Sequence, residues 1–458
     1  MALVVRKRRK IRRTDKPHDW GHALWVADTG FGKDTFMQAV LEQEFHNKSV
    51  GGKKIITFDI DLLDNVFYSI PQHDPFLLRI LSNDFGEKPA SYKSEVVCPV
   101  FSKEGIQEFK INVPVDWRMV KLPFKKITKV ALLYWIQKYT GPAEDILNML
   151  DLQTFDNMGE LIKKINDCAN GKDSIVSVDA QTLGNEAQMG LIQTYQSLAR
   201  ALNALAIKDL FREREEEGFE LLDIPKTMED KKTMTHFTGF FCDGIKNVLN
   251  FFFELNQQII NERKQNPVYP PMIEGIPEVA NYSGNVAENP IVERFMSKFL
   301  QEFRHQNGEV YMNTQSPRNI TPAMKTNIRK YWIGYLNRED ARYFSDNIYN
   351  LRGLRYSNET RDLYDDIPRT EKGFFHKLFR DENDRLVWRK SIKVRVPNSH
   401  KKARWENVFE FYRSHNMPFK TVVQRHFVHQ KIMFKSELDS VPSKDKEKSF
   451  WEGIKVVE

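Results

Sequence analysis

The apolar positions near the start of the chain predict a strand, a helix and a second strand in succession. Residues 24–27 form a short apolar run, and a loop with two glycines follows it. Apolar residues at positions 36, 39, 40 and 41 then recur at helical spacing, and residues 54–61 are apolar before turning acidic. A strand–helix–strand start of this kind favours a parallel α/β sheet whose ligand lies at the carboxyl ends of the strands.

Strand and helix patterns continue to alternate along the rest of the chain, which again indicates a parallel sheet. Between residues 126 and 217 the spacing is mostly helical, and this stretch is predicted to be a helical insertion. The other predicted strands are short stretches within 94–122 (109–113 among them), 219–225, 267–275, 309–315 and 330–336. The other predicted helices are 228–263, 291–304, 338–350 and 403–414, with a hairpin formed by 386–388 and 392–397.

These patterns divide the chain of 458 residues into five segments, and its 41% of apolar residues can bury a large core. The predicted fold class is α/β, with a parallel-sheet core in two parts, a helical insertion and a basic C-terminal segment. The segments are a basic disordered arm (1–20), the first part of the core (21–125), the insertion (126–217), the second part of the core (218–355) and the C-terminal segment (356–458).

The formal net charge of +7 is concentrated in part in the cluster of basic residues between positions 6 and 13. A basic arm predicts an acidic partner, with nucleic acid first and a membrane surface second. A docking protein, a nuclear-localisation signal and a plain solvated tail are the other interpretations.

Cysteine use and hydropathy indicate an intracellular, cytoplasmic protein, and association with a virion stays open. Cys98, Cys168 and Cys242 are far apart and show no metal-binding spacing, so a reducing compartment is expected. No apolar run reaches about 20 residues, the length of a membrane-spanning helix. The charged amino terminus lacks the apolar segment of a signal peptide.

The loop between the first strand and the first helix has the features of a phosphate-binding P-loop. Its glycines let successive backbone N–H groups point inward, its lysine can reach terminal phosphates, and the helix that follows presents its positive end. Ala27 replaces the first glycine of the usual motif, and an ordinary glycine-rich turn is the alternative. The residues assigned to nucleotide binding are Thr29, Gly30, Phe31, Gly32, Lys33, Asp34 and Thr35.

Three later residues are candidates for the catalytic parts of an NTPase, which needs a carboxylate, a polar sensor and often an arginine. Glu274 is predicted to end an apolar strand and to polarise the attacking water, unless it is a solvent-facing residue of a proline-rich loop. Gln315 is predicted at a strand tip, where it would sense the terminal phosphate. Arg304 is a candidate arginine finger for a neighbouring subunit, although a helix-terminal arginine is often a plain surface residue.

The order of these parts resembles the FtsK/HerA superfamily of hexameric DNA-pumping ATPases, which includes conjugation coupling proteins and viral packaging ATPases. The resemblance implies a RecA-like core, ATP and Mg²⁺ as cofactors, and a hexameric ring that threads double-stranded DNA. The segments that carry it are residues 26–33, 56–59, 219–225, 272–275, 304–308, 314–317 and 327–329.

Two departures from the family pattern concern the metal. Ile273 stands where the family has an aspartate, and Asp34 stands where it has a hydroxyl residue. One hypothesis is that the metal-binding carboxylate has moved to Asp34, with Asp59 or Asp61 supporting the water shell of Mg²⁺. The alternative is a weakened site that binds nucleotide without cleaving it.

The sequence therefore predicts an ATP-driven translocase for double-stranded DNA, working as a ring. The other interpretations are a nucleotide kinase, because residues 32–35 resemble the P-loop of some deoxynucleotide kinases, and a structural relative that has lost hydrolysis.

Overall fold

A computed structural model describes most of the chain between residues 21 and 399. The described residues are 21–46, 52–59, 68, 72, 74–99, 116–129, 132, 142–173, 175, 185–204, 210–215, 219–239, 245–280, 290–348, 365–380 and 386–399. The predicted basic arm, the pattern at 109–113, the helix at 403–414, Asp61 and Cys242 lie outside these residues.

Within the described ranges, twelve strands form one sheet. The strands are β1 (His22–Val26), β2 (Lys54–Asp59), β3 (Ser94–Pro99), β4 (Asp116–Pro123), β5 (Phe211–Arg212), β6 (Glu220–Leu221), β7 (Met234–Thr238), β8 (Met272–Ile276), β9 (Gly308–Thr314), β10 (Ile328–Ile333), β11 (Phe374–Arg380) and β12 (Leu386–Lys393). The α-helices are α1 (Lys33–Phe45), α2 (Pro75–Phe85), α3 (Pro142–Met149), α4 (Met158–Ala169), α5 (Asn185–Ala204), α6 (Ile224–Glu229), α7 (Ile245–Gln265), α8 (Pro290–His305), α9 (Pro322–Asn327) and α10 (Arg338–Tyr343).

The order of the strands is β12-β11-β10-β1-β9-β8-β2-β7-β3-β4-β5, and β6 also pairs with β4. All pairs among β1 to β10 are parallel, whereas β11 is antiparallel to both β10 and β12. The predicted parallel α/β sheet is therefore confirmed, with a short antiparallel extension at one end.

Strand β1 lies in the middle of the sheet and is covered on both faces. All five of its residues are buried, which is why it reads as a continuous apolar run rather than an alternating one. On one face Trp25 packs against Phe36 of α1, with their ring centroids 5.9 Å apart. On the other face Leu24 and Val26 join the larger core formed with α7 and α8. This packing fixes α1 directly behind the loop that follows β1.

The predicted helix at 228–263 is wrong in its first part. Residues 234–238 form β7, which lies between β2 and β3, and α7 begins only at Ile245. All five residues of β7 are buried, and Phe237 stacks on Phe58 of β2 at 6.5 Å. Phe237 of this strand fits the helical spacing of the apolar residues that follow it, from Phe240 to Leu255, and a buried strand shows no alternation of its own, so the pattern alone predicts one long helix.

The predicted strand at 219–225 is reduced to two residues, Glu220 and Leu221. The side chain of Asp223 caps α6 by accepting a hydrogen bond from the backbone N–H of Lys226, and Pro225 lies in the first turn. Both are helix-start signals, so the chain turns into a helix where an apolar run alone predicted a strand.

The predicted C-terminal hairpin has a different partner. Residues 386–388 and 392–393 belong to the same strand, β12, and β12 pairs with β11. The region therefore adds two strands to the central sheet rather than forming a separate hairpin. The segment boundaries drawn from the sequence remain predictions.

Helices α3, α4 and α5 occupy the region predicted as a helical insertion, and they pack through buried apolar residues of α4 and α5 such as Ile165 and Leu198. Among the described helices, none is both long and apolar enough to cross a membrane.

Candidate functional site

The loop between β1 and α1 has an open backbone that suits a phosphate. Gly30 and Gly32 have φ angles of 77° and 93°, a region that favours glycine. A Cβ atom at either position would meet nothing within 4 Å, so space remains beside the loop. Helix α1 begins after Gly32 with no side-chain cap, which leaves the N–H groups of its first turn to an outside acceptor. Such an uncapped helix start attracts anions.

Lys33, the P-loop lysine, is held by a carboxylate that the sequence analysis did not select. Its ammonium group lies 2.6 Å from Oε1 of Glu278, and the lysine side chain is only 4% exposed. A second carboxylate oxygen, Oδ2 of Asp34, lies 3.7 Å from the same nitrogen. Glu278 lies two residues after the end of β8 and has a φ angle of 47°, which is unusual for a residue other than glycine. The ammonium group of Lys33 thus lies between the carboxylates of Glu278 and Asp34.

Gln315 joins the same group, at the carboxyl end of β9. Its Oε1 accepts a hydrogen bond of 2.8 Å from the hydroxyl of Thr29 in the loop. Its Nε2 donates a hydrogen bond of 3.2 Å to Oε1 of Glu278. The structure therefore brings together Thr29, Lys33, Glu278 and Gln315, three of which the sequence analysis named.

Glu274 does not lie with them. Strand β8 continues to Ile276, so Glu274 is in the middle of the strand rather than at its end. Alternation along the strand turns Glu274 away from α1, whereas its neighbours Ile273 and Gly275 face that helix. Glu274 is fully buried against α7, where Asn256 Nδ2 donates a 3.1 Å hydrogen bond to its Oε1, and burial raises its pKa to about 8.

The length of the apolar run before it is the sequence signal for Glu278. The apolar run from Met272 to Ile276 continues past Glu274, and Glu278 is the first carboxylate beyond it. If Glu278, rather than Glu274, is aligned with the glutamate of the family motif, the aspartate that precedes it in the family falls at Pro277 instead of Ile273. Neither residue carries a carboxylate, so the hypothesis that Asp34 replaces it is unaffected.

Two other predicted residues lie apart from Lys33 in this chain. Arg304 is exposed in the last turn of α8, beside the amino end of β9. Gln315 follows the other end of that strand, about 20 Å away at the usual rise per residue. Asp59 ends β2, which is separated from β1 by β8 and β9, or about 14 Å at the usual strand spacing. Asp59 is buried, at 3% exposure.

The residues present fit a nucleotide phosphate with a divalent cation. The hydroxyl of Thr35 is buried in the first turn of α1 without a hydrogen-bond partner, so an acceptor or donor from a ligand could satisfy it. Asp34 is 55% exposed on its side chain, and its carboxylate and that of Glu278 offer the oxygen ligands that Mg²⁺ prefers. The described residues contain no cluster of three or more His, Cys, Asp and Glu able to hold a metal by themselves. A metal here would need phosphate oxygens and water as further ligands.

Comparison with known proteins gives matches among solved structures alone. No protein-family model and no curated protein sequence matches the chain. The bacterial conjugative coupling protein TrwB, in a form described as TrwBdeltaN70, has a TM-score of 0.52 and 12% identity, covering 84% of this chain and 87% of that chain.

Two further structures are less similar. VirB4 of Thermoanaerobacter pseudethanolicus has a TM-score of 0.44 and 10% identity, covering 81% of this chain and 88% of its own. The genome packaging NTPase B204 of Sulfolobus turreted icosahedral virus 2 has a TM-score of 0.25 and 17% identity, covering 37% and 72%. At these identities the likeness establishes the fold, and the match to TrwB carries that conclusion. The chain therefore has the RecA-like P-loop NTPase fold, which it shares with TrwB.

Proposed function

We propose that this protein hydrolyses ATP with Mg²⁺ at the loop between β1 and α1. The observation that carries the proposal is the contact between Lys33 and Glu278, 2.6 Å apart, beside the open P-loop. A buried lysine next to an uncapped helix start is suited to the terminal phosphates. A carboxylate within reach of the same phosphates is suited to orienting the attacking water.

Binding of ATP would change the partner of Lys33. The ammonium group contacts Glu278 in the structure, and phosphate oxygens would compete for it. Release of Glu278 would leave its carboxylate free to accept a proton from water, while Gln315 keeps its hydrogen bond to the side chain of Thr29. Asp34 would hold Mg²⁺, directly or through water, and the bound metal would neutralise charge on the phosphates.

We infer further that hydrolysis drives the movement of double-stranded DNA through a ring of subunits, with a hexamer as the expected form. The fold shared with a conjugative coupling protein, the motif order and the net charge of +7 support this inference. Arg304 would act in the site of a neighbouring subunit, because its position leaves it far from Lys33 of its own chain. Contacts to DNA would be mainly to phosphate and therefore tolerant of sequence and sensitive to salt.

The test is ATP hydrolysis by the full chain, with and without double-stranded DNA, for the natural protein and the Lys33→Ala and Asp34→Ala variants. We expect DNA to stimulate turnover, Lys33→Ala to abolish it, and Asp34→Ala to abolish the part that depends on Mg²⁺. Turnover that survives both substitutions would contradict the site. Phosphoryl transfer to a nucleotide without DNA stimulation would favour a kinase, and ATP binding without cleavage would favour a structural relative.

A further inference from the structure

A single buried amide joins the carboxylate of Asp34 to the backbone of Glu278. Asn313 lies in β9 with no exposed surface. Its Nδ2 donates a 2.8 Å hydrogen bond to Oδ1 of Asp34 in the P-loop. Its Oδ1 accepts a 2.8 Å hydrogen bond from the backbone N–H of Glu278. The side chain thus connects the start of α1 to the loop after β8.

The chemistry of the partners permits only one orientation of this amide. The carboxylate of Asp34 can only accept, so it requires the NH₂ group, and the N–H of Glu278 can only donate, so it requires the carbonyl oxygen. A second contact of the NH₂ group, to the sulfur of Met37 at 3.7 Å, agrees with this orientation. The backbone carbonyl of Asn313 also accepts a 2.8 Å hydrogen bond from the N–H of Val279. Asn313 therefore holds the loop that carries Glu278 at two consecutive residues.

The contact with Asn313 also determines which oxygen of Asp34 remains available. Oδ1 is occupied by the amide, while Oδ2 lies 3.7 Å from the ammonium group of Lys33. The side chain of Asp34 is 55% exposed, so without this hydrogen bond it could turn towards solvent. Partners that orient a metal-binding carboxylate typically change metal affinity by about 10-fold to 100-fold when they are removed.

We propose that Asn313 is a positioning residue that aims Asp34 and the Glu278 loop at one divalent cation bound with the nucleotide. This inference rests on the proposed function, since it concerns the same site. Asn313 would touch neither the nucleotide nor the metal. Its contribution is to keep the oxygen ligand of Asp34 and the backbone of Glu278 at fixed positions on either side of Lys33.

The test is calorimetric titration of the full chain with a non-hydrolysable ATP analogue, once in Mg²⁺ and once in EDTA. We expect Asn313→Ala to remove most of the Mg²⁺-dependent tightening, a loss of about 10-fold in affinity, because Asp34 is no longer held. Binding in EDTA should change less than about 2-fold, because Lys33 and the P-loop backbone remain. The double variant Asn313→Ala with Asp34→Ala should lose less Mg²⁺-dependent affinity than the sum of the two single variants, since much of the effect of Asn313 runs through Asp34.

Two further variants guard against a general effect on folding. Tyr311→Phe removes a 3.3 Å hydrogen bond from the same face of β9 to Glu309 and should leave the Mg²⁺ effect unchanged. Asn313→Ser, whose side chain is too short to reach Asp34, replaces the alanine variant if thermal unfolding shows that the latter is not folded. Unchanged Mg²⁺ tightening in the position 313 variants, or additive losses in the double variant, would overturn the proposal. A natural protein that binds no ATP analogue in either buffer would overturn the proposed function itself.

Discussion

Glu274 has an environment in which a carboxylate strongly favours its protonated form. It is fully buried, one oxygen meets the amide of Asn256, and the other oxygen has no hydrogen-bond partner. Burial raises its pKa from 4.5 to about 8, against the smaller opposing effect of the hydrogen bond from Asn256. A carboxyl group that is buried and protonated carries no charge to act on a phosphate, which is why the proposed function does not use Glu274.

This pKa predicts a specific dependence of stability on pH. Between pH 4.5 and 8 the folded protein keeps the proton that the unfolded chain has lost, so the free energy of unfolding falls as pH rises through this window. Glu274→Gln removes the titration and should flatten that fall. Urea denaturation of both proteins at pH 5.5 and pH 8 measures it, and a fall of equal size in the two proteins would contradict the assignment.

Among single residues, those of the P-loop could be predicted from the sequence. They are contiguous, and the glycines are required by the positive φ angles of the loop itself. Gln315 could also be placed, because it follows directly after a strand whose end was read correctly. Glu278 could not, because its role depends on where β8 ends and on which face each residue takes. A shift of one strand boundary moves the proposed catalytic carboxylate from Glu274 to Glu278.

Among the elements, the residues after β12 contribute to the position of α1. Residues 394–399, which we call the C-terminal strap, lie against the helix at Glu42. The buried carboxylate of Glu42 accepts hydrogen bonds from the backbone N–H of Asn398 at 2.7 Å and of Ser399 at 3.2 Å. The hydroxyl of Ser399 donates to the same carboxylate. The P-loop helix is thus tied to a part of the chain more than 350 residues away.

Removal of this acceptor predicts a measurable loss of stability. Glu42→Ala leaves the donors of the C-terminal strap unpaired, at about 1–3 kcal/mol for each buried group. We therefore expect the free energy of unfolding to fall by about 3 kcal/mol in urea denaturation. Gln38→Ala removes the 2.7 Å hydrogen bond from Gln38 to the Ser399 hydroxyl and is the matched control, with an expected loss of about 1 kcal/mol. Equal losses in the free energy of unfolding for Glu42→Ala and Gln38→Ala would contradict the view that Glu42 holds the C-terminal strap against α1.

Elements with local signals were predicted well, and those defined by distant partners were not. Helix α8 and strand β9 match their predictions within one residue at each end. Strand β7 was not predicted because it is buried on both faces and therefore shows no alternation. The pairing of β12 with β11 was not predicted because the sequence of one strand does not determine which strand it pairs with. The contact of the C-terminal strap with Glu42 could not have been inferred from any nearby pattern.

For the whole molecule, the proposed ring has a testable consequence, because Arg304 and Lys33 lie near opposite ends of β9. If Arg304 completes the site of a neighbour, Arg304→Ala and Lys33→Ala should each abolish ATP hydrolysis when assayed alone. Mixing the two variants should restore part of the activity, because some sites then combine an intact Lys33 with an intact Arg304. The control is the double variant with both Lys33→Ala and Arg304→Ala. It carries neither residue, so mixing it with either single variant should restore no activity. A mixture no more active than its components would exclude the shared site.

The central claim is that Glu278, and not Glu274, is the carboxylate that acts in ATP hydrolysis. The most direct measurement is the ATP hydrolysis rate at saturating ATP and Mg²⁺ for Glu278→Gln and Glu274→Gln, with ATP binding measured in parallel. The account predicts that Glu278→Gln lowers kcat by at least about 100-fold while ATP still binds, because the water loses its general base. Glu274→Gln should keep kcat within about 3-fold of the natural protein, because its side chain is on the other face of the sheet. Loss of turnover in Glu274→Gln with full activity in Glu278→Gln would contradict the account.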